Sequence, residues 1–199
     1  MMRHVVFCWI TLFTVTLAGG QAVTTQPAVA AWSKIAETFT SALVKGDTDA
    51  ARSTATDPVT IVRAGSVEPI DLATLVHHAN GGTVLAFHIY SFPPLAMAAD
   101  LAADFKTSTQ VPDSLKELMI PEDDEGMKRA NATAIQWLAQ SLGAVKGTPV
   151  AVVLLMPSTP ADAKTPTLPL LLLVRGDDSP SEPLHVSRVV YGTPQQIID

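Results

Sequence analysis

From Thr148 to Tyr191 the chain alternates short Val- and Leu-rich runs with clusters of Pro, Gly, Asp and Ser. The runs Pro149–Met156, Leu168–Arg175 and Leu184–Tyr191 have strand length, and the clusters between them have turn chemistry. The pattern predicts consecutive strands closing the chain as an antiparallel meander. The loops Ser158–Thr167 and Gly176–Pro183 are rich in Pro or acidic residues and belong at the surface.

Upstream the period changes. Trp32, Ile35, Phe39 and Leu43 recur at helical spacing, with Lys34 and Glu37 on the opposite side. This predicts a helix from about Ala30 that Gly46 terminates. Asp47 is placed to cap a second helix over Thr48–Ala55, which Asp57-Pro58 stops. Val59–Arg63 then reads as a short strand. Asp71 is placed to cap a helix over Leu72–Ala79, which Asn80-Gly81-Gly82 breaks. Thr83–Phe92 alternates as a strand does: Leu85, Phe87 and Ile89 on one face, Ala86, His88 and Tyr90 on the other. Pro93-Pro94 opens a helical stretch in which Leu95, Ala98, Ala102 and Phe105 share a face. Ser114–Met119 reads as a short helical turn. A longer helix over Glu122–Ala144 follows, with Ile135, Leu138 and Leu142 as its stripe and acids in its first turn.

Helices first and hairpin strands last predict an α+β fold. The expected sheet is antiparallel and curved, covered on one face by the N-terminal helices, with a helical insertion over residues 93–146 before the last three strands. Residues 30–199 are read as a single domain. About 175 residues suffice for one packed core.

The first residues change the picture of compartment. Met1-Met2-Arg3-His4 precedes an apolar run from Val5 to Ala18, then Ala18-Gly19-Gly20-Gln21-Ala22. A positive start, an apolar core too short to span a bilayer and small residues at its end predict a secretory signal over 1–22, cut after Ala22, and a loose linker over 23–29. The expected location is therefore exported, periplasmic or extracellular. The single cysteine, Cys8, lies inside that signal. The mature chain then has no disulfide and no thiolate for a metal, and packing alone must hold it. Beyond the signal no apolar run is long enough to cross a membrane as a helix. The net charge is −6 and the Lys and Arg residues are scattered. That distribution speaks against a nucleic-acid surface and an anionic lipid surface.

The run from Trp32 through Gly46-Asp47, continued by Asp49-Ala50-Ala51 and Asp57-Pro58-Val59-Thr60-Ile61, resembles the opening of the nuclear-transport-factor-two-like (SnoaL-like) superfamily. The resemblance spans residues 30–63 and, by order alone, the closing strands. It implies a cone: a curved sheet wrapped around a long helix. The superfamily includes ketosteroid isomerases and dehydratases with Asp, Tyr or His in the cone. The helical block Pro93–Lys146 departs from the usual pattern, and no residue here matches those motifs by spacing.

Several residues carry candidate chemistry. His88 and Tyr90 share a strand face, and Asp100 and Asp104 share a helix face four residues apart. If the strand face lines a hollow, His88 and Tyr90 form its polar floor, with Asp100 or Asp104 nearby as a buried carboxylate that serves as a base. If not, they are wet-face or satisfied core groups. His77-His78 are neighbours on a helix, about a third of a turn apart, so they do not chelate one metal together. Glu122–Glu125 reads as helix-start charge, since no calcium-loop spacing accompanies it. Asn131-Ala132-Thr133 has the glycosylation pattern but falls inside an expected helix. No Gly-x-Ser-x-Gly elbow and no phosphate loop occurs, and nothing implies a metal or cofactor. The reading is an exported non-enzymatic binding or self-assembly module, with pairing of copies through the sheet as one route. The alternative is a cone-type enzyme or ligand binder using His88 and Tyr90.

Overall fold

The computed structural model describes residues 26–63, 70–111, 113, 116, 124–158, 170–176 and 185–193. The expected signal over 1–22 lies outside them, as does the expected turn Ser114–Met119 apart from Lys116. The elements are α1 (Gln26–Lys45), α2 (Thr48–Ser53), β1 (Ala55–Arg63), α3 (Leu72–Ala79), β2 (Thr83–Ser91), α4 (Met97–Thr107), α5 (Asp124–Ser141), β3 (Pro149–Met156), β4 (Leu170–Gly176) and β5 (Val186–Gly192).

α1 begins at Gln26, a turn ahead of the expected Ala30, so the expected linker is partly helix. The helix ends where its pattern says it should. Gly46 adopts φ +72°, and the backbone N–H groups of Gly46 and Asp47 bond back to Leu43 and Ala42. Asp47 then accepts the Ala50 N–H at 2.9 Å and starts α2.

Five described strands form one sheet in the order β1-β5-β4-β3-β2. β2 through β5 are an antiparallel meander, as expected. The expectation of an antiparallel sheet throughout fails at β1, which pairs parallel to β5. The reason lies in the return path after β1. The Ile70 N–H bonds to the Ile61 carbonyl, so α3 starts beside β1, and its last turn meets Tyr191 at the end where β1 stops. β2 therefore starts at the end where β1 stopped, and three antiparallel reversals leave β5 running with β1. β1 is also longer than expected. It contains Asp57-Pro58, tolerated because β1 is outermost among the described strands and the register shifts between Ala55 and Thr60.

The first sheet face packs against α1, α2 and α3. Trp32, Phe39, Leu43, Leu75 and Val76 meet Ala151, Val153, Leu172, Val174 and Val189 in one buried cluster. Each large side chain in it contributes about 1.5–3 kcal/mol by leaving water. The second face is also covered. Met97, Leu101 and Phe105 of α4, with Leu142 and Ala144 beyond α5, pack on Val150, Val152, Leu154, Leu171 and Val190. The insertion is thus a third layer, and helices lie on both faces.

Two local expectations shift. A register irregularity between Val84 and Ala86 puts Leu85 with Ala86 on the second face, while Phe87 and Ile89 stay on the first. Leu95 is 66% exposed, and Met97 and Leu101 take the core positions of α4 with Ala98, Ala102 and Phe105.

Candidate functional site

Among the described strands β2 is the last in the sheet, and its alternation delivers Ala86, His88 and Tyr90 to the second face. α4 crosses that face. Its apolar stripe is Met97, Leu101 and Phe105, which leaves Asp100 and Asp104, four residues apart, on the flank toward β2. The four polar side chains meet in two pairs. His88 Nε2 lies 2.6 Å from Asp104 Oδ2, and the Tyr90 hydroxyl donates to Asp100 Oδ2 at 2.7 Å. The His88 and Tyr90 rings stand 5.9 Å apart and tilted by 40°.

The environment decides what these groups can do. Burial pushes the Tyr90 phenol far above its usual value, and its hydrogen bond to Asp100 and the charges of Asp100 and Asp104 push the same way. Tyr90 therefore keeps its proton and donates it to Asp100. His88 uses one ring nitrogen on Asp104. Its Nδ1 makes no hydrogen bond among the described residues, and an imidazole oriented by a carboxylate in this way can exchange a proton at the other nitrogen. The His88 and Asp104 side chains are 33% and 30% exposed, so the pair sits at the margin of the α4 contact rather than at the floor of a closed hollow.

α4 is held at its start as well. Ala96, its N-cap residue, offers no side-chain bond to the helix. Asn131 of α5 takes over: its Oδ1 accepts the Ala98 N–H at 3.0 Å and its Nδ2 donates to the Leu95 carbonyl at 2.9 Å. The residue that fits a glycosylation pattern is thus a cap supplied by another helix.

The remaining candidates are dispersed. His77 is exposed, and His78 Nδ1 lies 3.1 Å from the Tyr191 hydroxyl on the first sheet face, away from His88. Of the acidic run, Asp124 and Glu125 open α5, and Glu125 pairs with Lys128 at 2.6 Å; Glu122 and Asp123 lie outside the described residues. An open surface groove runs between α1 and α2, lined by Glu37, Ser41, Lys45 and Asp47, with none of the expected site residues in it. Among the described residues no three His, Cys, Asp or Glu side chains gather to hold a metal ion, and no helix is long and apolar enough to cross a membrane.

The sequence patterns missed two arrangements. Asn131 reaches across from α5 to α4, and Tyr191 bonds to His78; neither has a local signal. No protein-family model matches this chain, and no curated protein and no solved structure matches it either.

Proposed function

We propose that this chain is an exported, non-enzymatic domain that works by contact, pairing with a second copy along the open side of β2. The observation that carries this is β2 itself. It runs nine residues without Pro, Lys, Arg, Asp or Glu and pairs only with β3 among the described residues. Edges that must stay single are normally blunted by charge, Pro or a bulge. The opposite edge, β1, contains Pro58 and ends in Arg63, while β2 has one irregularity near its start and runs regularly from Ala86 to Ser91. The polar groups on its second face are spent on α4, which supports a clasp rather than a reaction centre.

The experiment is light scattering of the chain at rising concentration, beside the double variant Val84→Lys/Ser91→Lys. Both positions are exposed, so the variant retains the core. Association of the parent chain and loss of association in the variant are expected. A parent chain that stays monomeric up to its solubility limit rejects the proposal.

A second reading, a cone-type isomerase, dehydratase or small-ligand binder, draws on the 2.6 Å His88–Asp104 pair and the open Nδ1. It expects a small molecule that raises the melting temperature of the parent chain but not of His88→Ala. A broad screen of metals and small ligands without any shift counts against it.

A further inference from the structure

At the end of the sheet where β1 and β5 finish, Arg63 and Tyr191 are register partners on adjacent parallel strands. Ile61 and Tyr191 belong to the first-face cluster, and Arg63, two residues beyond Ile61, follows them onto that face. The last turn of α3 lies over the same place. His78 Nδ1 is 3.1 Å from the Tyr191 hydroxyl, and the His77 ring is 6.2 Å from the His78 ring. We propose that Arg63, His77, His78 and the Tyr191 hydroxyl form a receptor for a small oxyanion, a site separate from the β2 edge.

The charge balance supports this. The His78 imidazole is held below its usual value, first by burial and then by the charges of Arg63 and His77. Burial pushes the Tyr191 phenol up, with Arg63 opposing. No carboxylate among the described residues contributes to either shift. α1 and α2 also pack on α3 and bring Lys45 and the Asp49–Arg52 pair, none of which acts on His78. Arg63 is exposed and makes no ion pair among the described residues. Its guanidinium is a planar fork suited to two oxygens of one anion. When His78 takes up a proton, its Nδ1–H donates to the Tyr191 oxygen, which frees the phenol proton for the anion and leaves Nε2–H as a second donor. A bound anion offsets the repulsion on His78, so binding takes up a proton and tightens as pH falls.

The test follows the histidine ring protons by NMR while sulfate or acetate replaces chloride at constant ionic strength. Saturable shifts of the His77 and His78 signals, with dissociation constants on the order of 1 mM, are expected. At saturation the His78 titration should move toward the ordinary imidazole value. Tighter acetate assigns a planar carboxylate, and tighter sulfate a tetrahedral dianion. Arg63→Gln should weaken binding at least tenfold while circular dichroism and the thermal midpoint stay at parent values, and Arg63→Lys should retain part of it. Linear, unsaturated shifts with both anions overturn the proposal, and so does unchanged binding in Arg63→Gln.

Discussion

The His88–Asp104 pair is the sharpest place to test whether the polar groups on β2 hold the structure or serve chemistry. Removing each partner and then both, as His88→Ala, Asp104→Ala and the double variant, isolates their coupling. Exposed ion pairs couple by about 0.2–1 kcal/mol, whereas breaking a fully buried one costs about 3–5 kcal/mol. Here the separation is 2.6 Å but roughly a third of each side chain remains in water. Solvent screening keeps the value near the top of the exposed range, about 1 kcal/mol. Tyr90→Phe removes a hydroxyl that donates to the Asp100 carboxylate at 2.7 Å. Hydrogen bonds to charged groups contribute about 1.5–3 kcal/mol, and partial wetting puts this one at the lower end. Urea unfolding at constant m-value reads each change directly. A clasp predicts destabilisation by every single variant and a positive coupling. A coupling of zero, or variants more stable than the parent, would refute the clasp. The second outcome is what a site that sacrifices stability for function gives.

Asn131→Ala should destabilise by about 1 kcal/mol, since it leaves the α4 start without its cap, and thermal unfolding reads it. Gly143→Ala should cost about 1–2 kcal/mol because φ is +60° there, and its new Cβ would stand 3.0 Å from Arg175 Nη1 and 3.1 Å from Arg188 Nη1. The folded His78 binds its proton less readily than the unfolded imidazole near 6.5, so the stability it contributes is present above about pH 6.5 and is lost as pH falls toward the lower folded value. His78→Gln should flatten that part of the stability–pH curve. Native-state hydrogen exchange should open α4 at lower free energy than α1, because polar pairs at its margin supplement a shorter apolar stripe.

How much of this was legible in the sequence depends on how local the signal is. Gly46 and Asp47 announce the α1–α2 junction because a left-handed turn and a side-chain cap are settled within a few residues. The period of two in β2 placed His88 with Tyr90, and the spacing of four in α4 placed Asp100 with Asp104. Once the insertion folds back over the sheet, the two faces meet as pairs. The parallel β1–β5 pairing left no such trace, because it joins segments from opposite ends of the domain. Asp57-Pro58 misled for a related reason: Pro stops a central strand but not an edge, and edge position is a property of the whole sheet. Asn131 sits in the middle of a helix, where nothing in its neighbourhood tells that its amide serves another helix.

The two layers over the sheet are built differently. On the first face Trp32, Phe39, Leu43, Leu75 and Val76 form a continuous apolar contact with the strands. On the second, the apolar contact of α4 is bordered by polar groups, and the register shows their order. Tyr90 pairs with Val150, Val150 with Arg175, and Arg175 with Arg188 across β2, β3, β4 and β5. Arg175 donates to the Leu142 carbonyl just beyond α5, as Tyr90 donates to Asp100 of α4. Both helices of the insertion are thus fastened to one row of the sheet by hydrogen bonds whose geometry is directional, over an apolar surface that is not. Burial alone would let α4 and α5 slide along the sheet at little cost, since the apolar contribution scales with area and not with direction. The polar row fixes where they sit, and that is why its members group at one end of the strands rather than scatter over the surface.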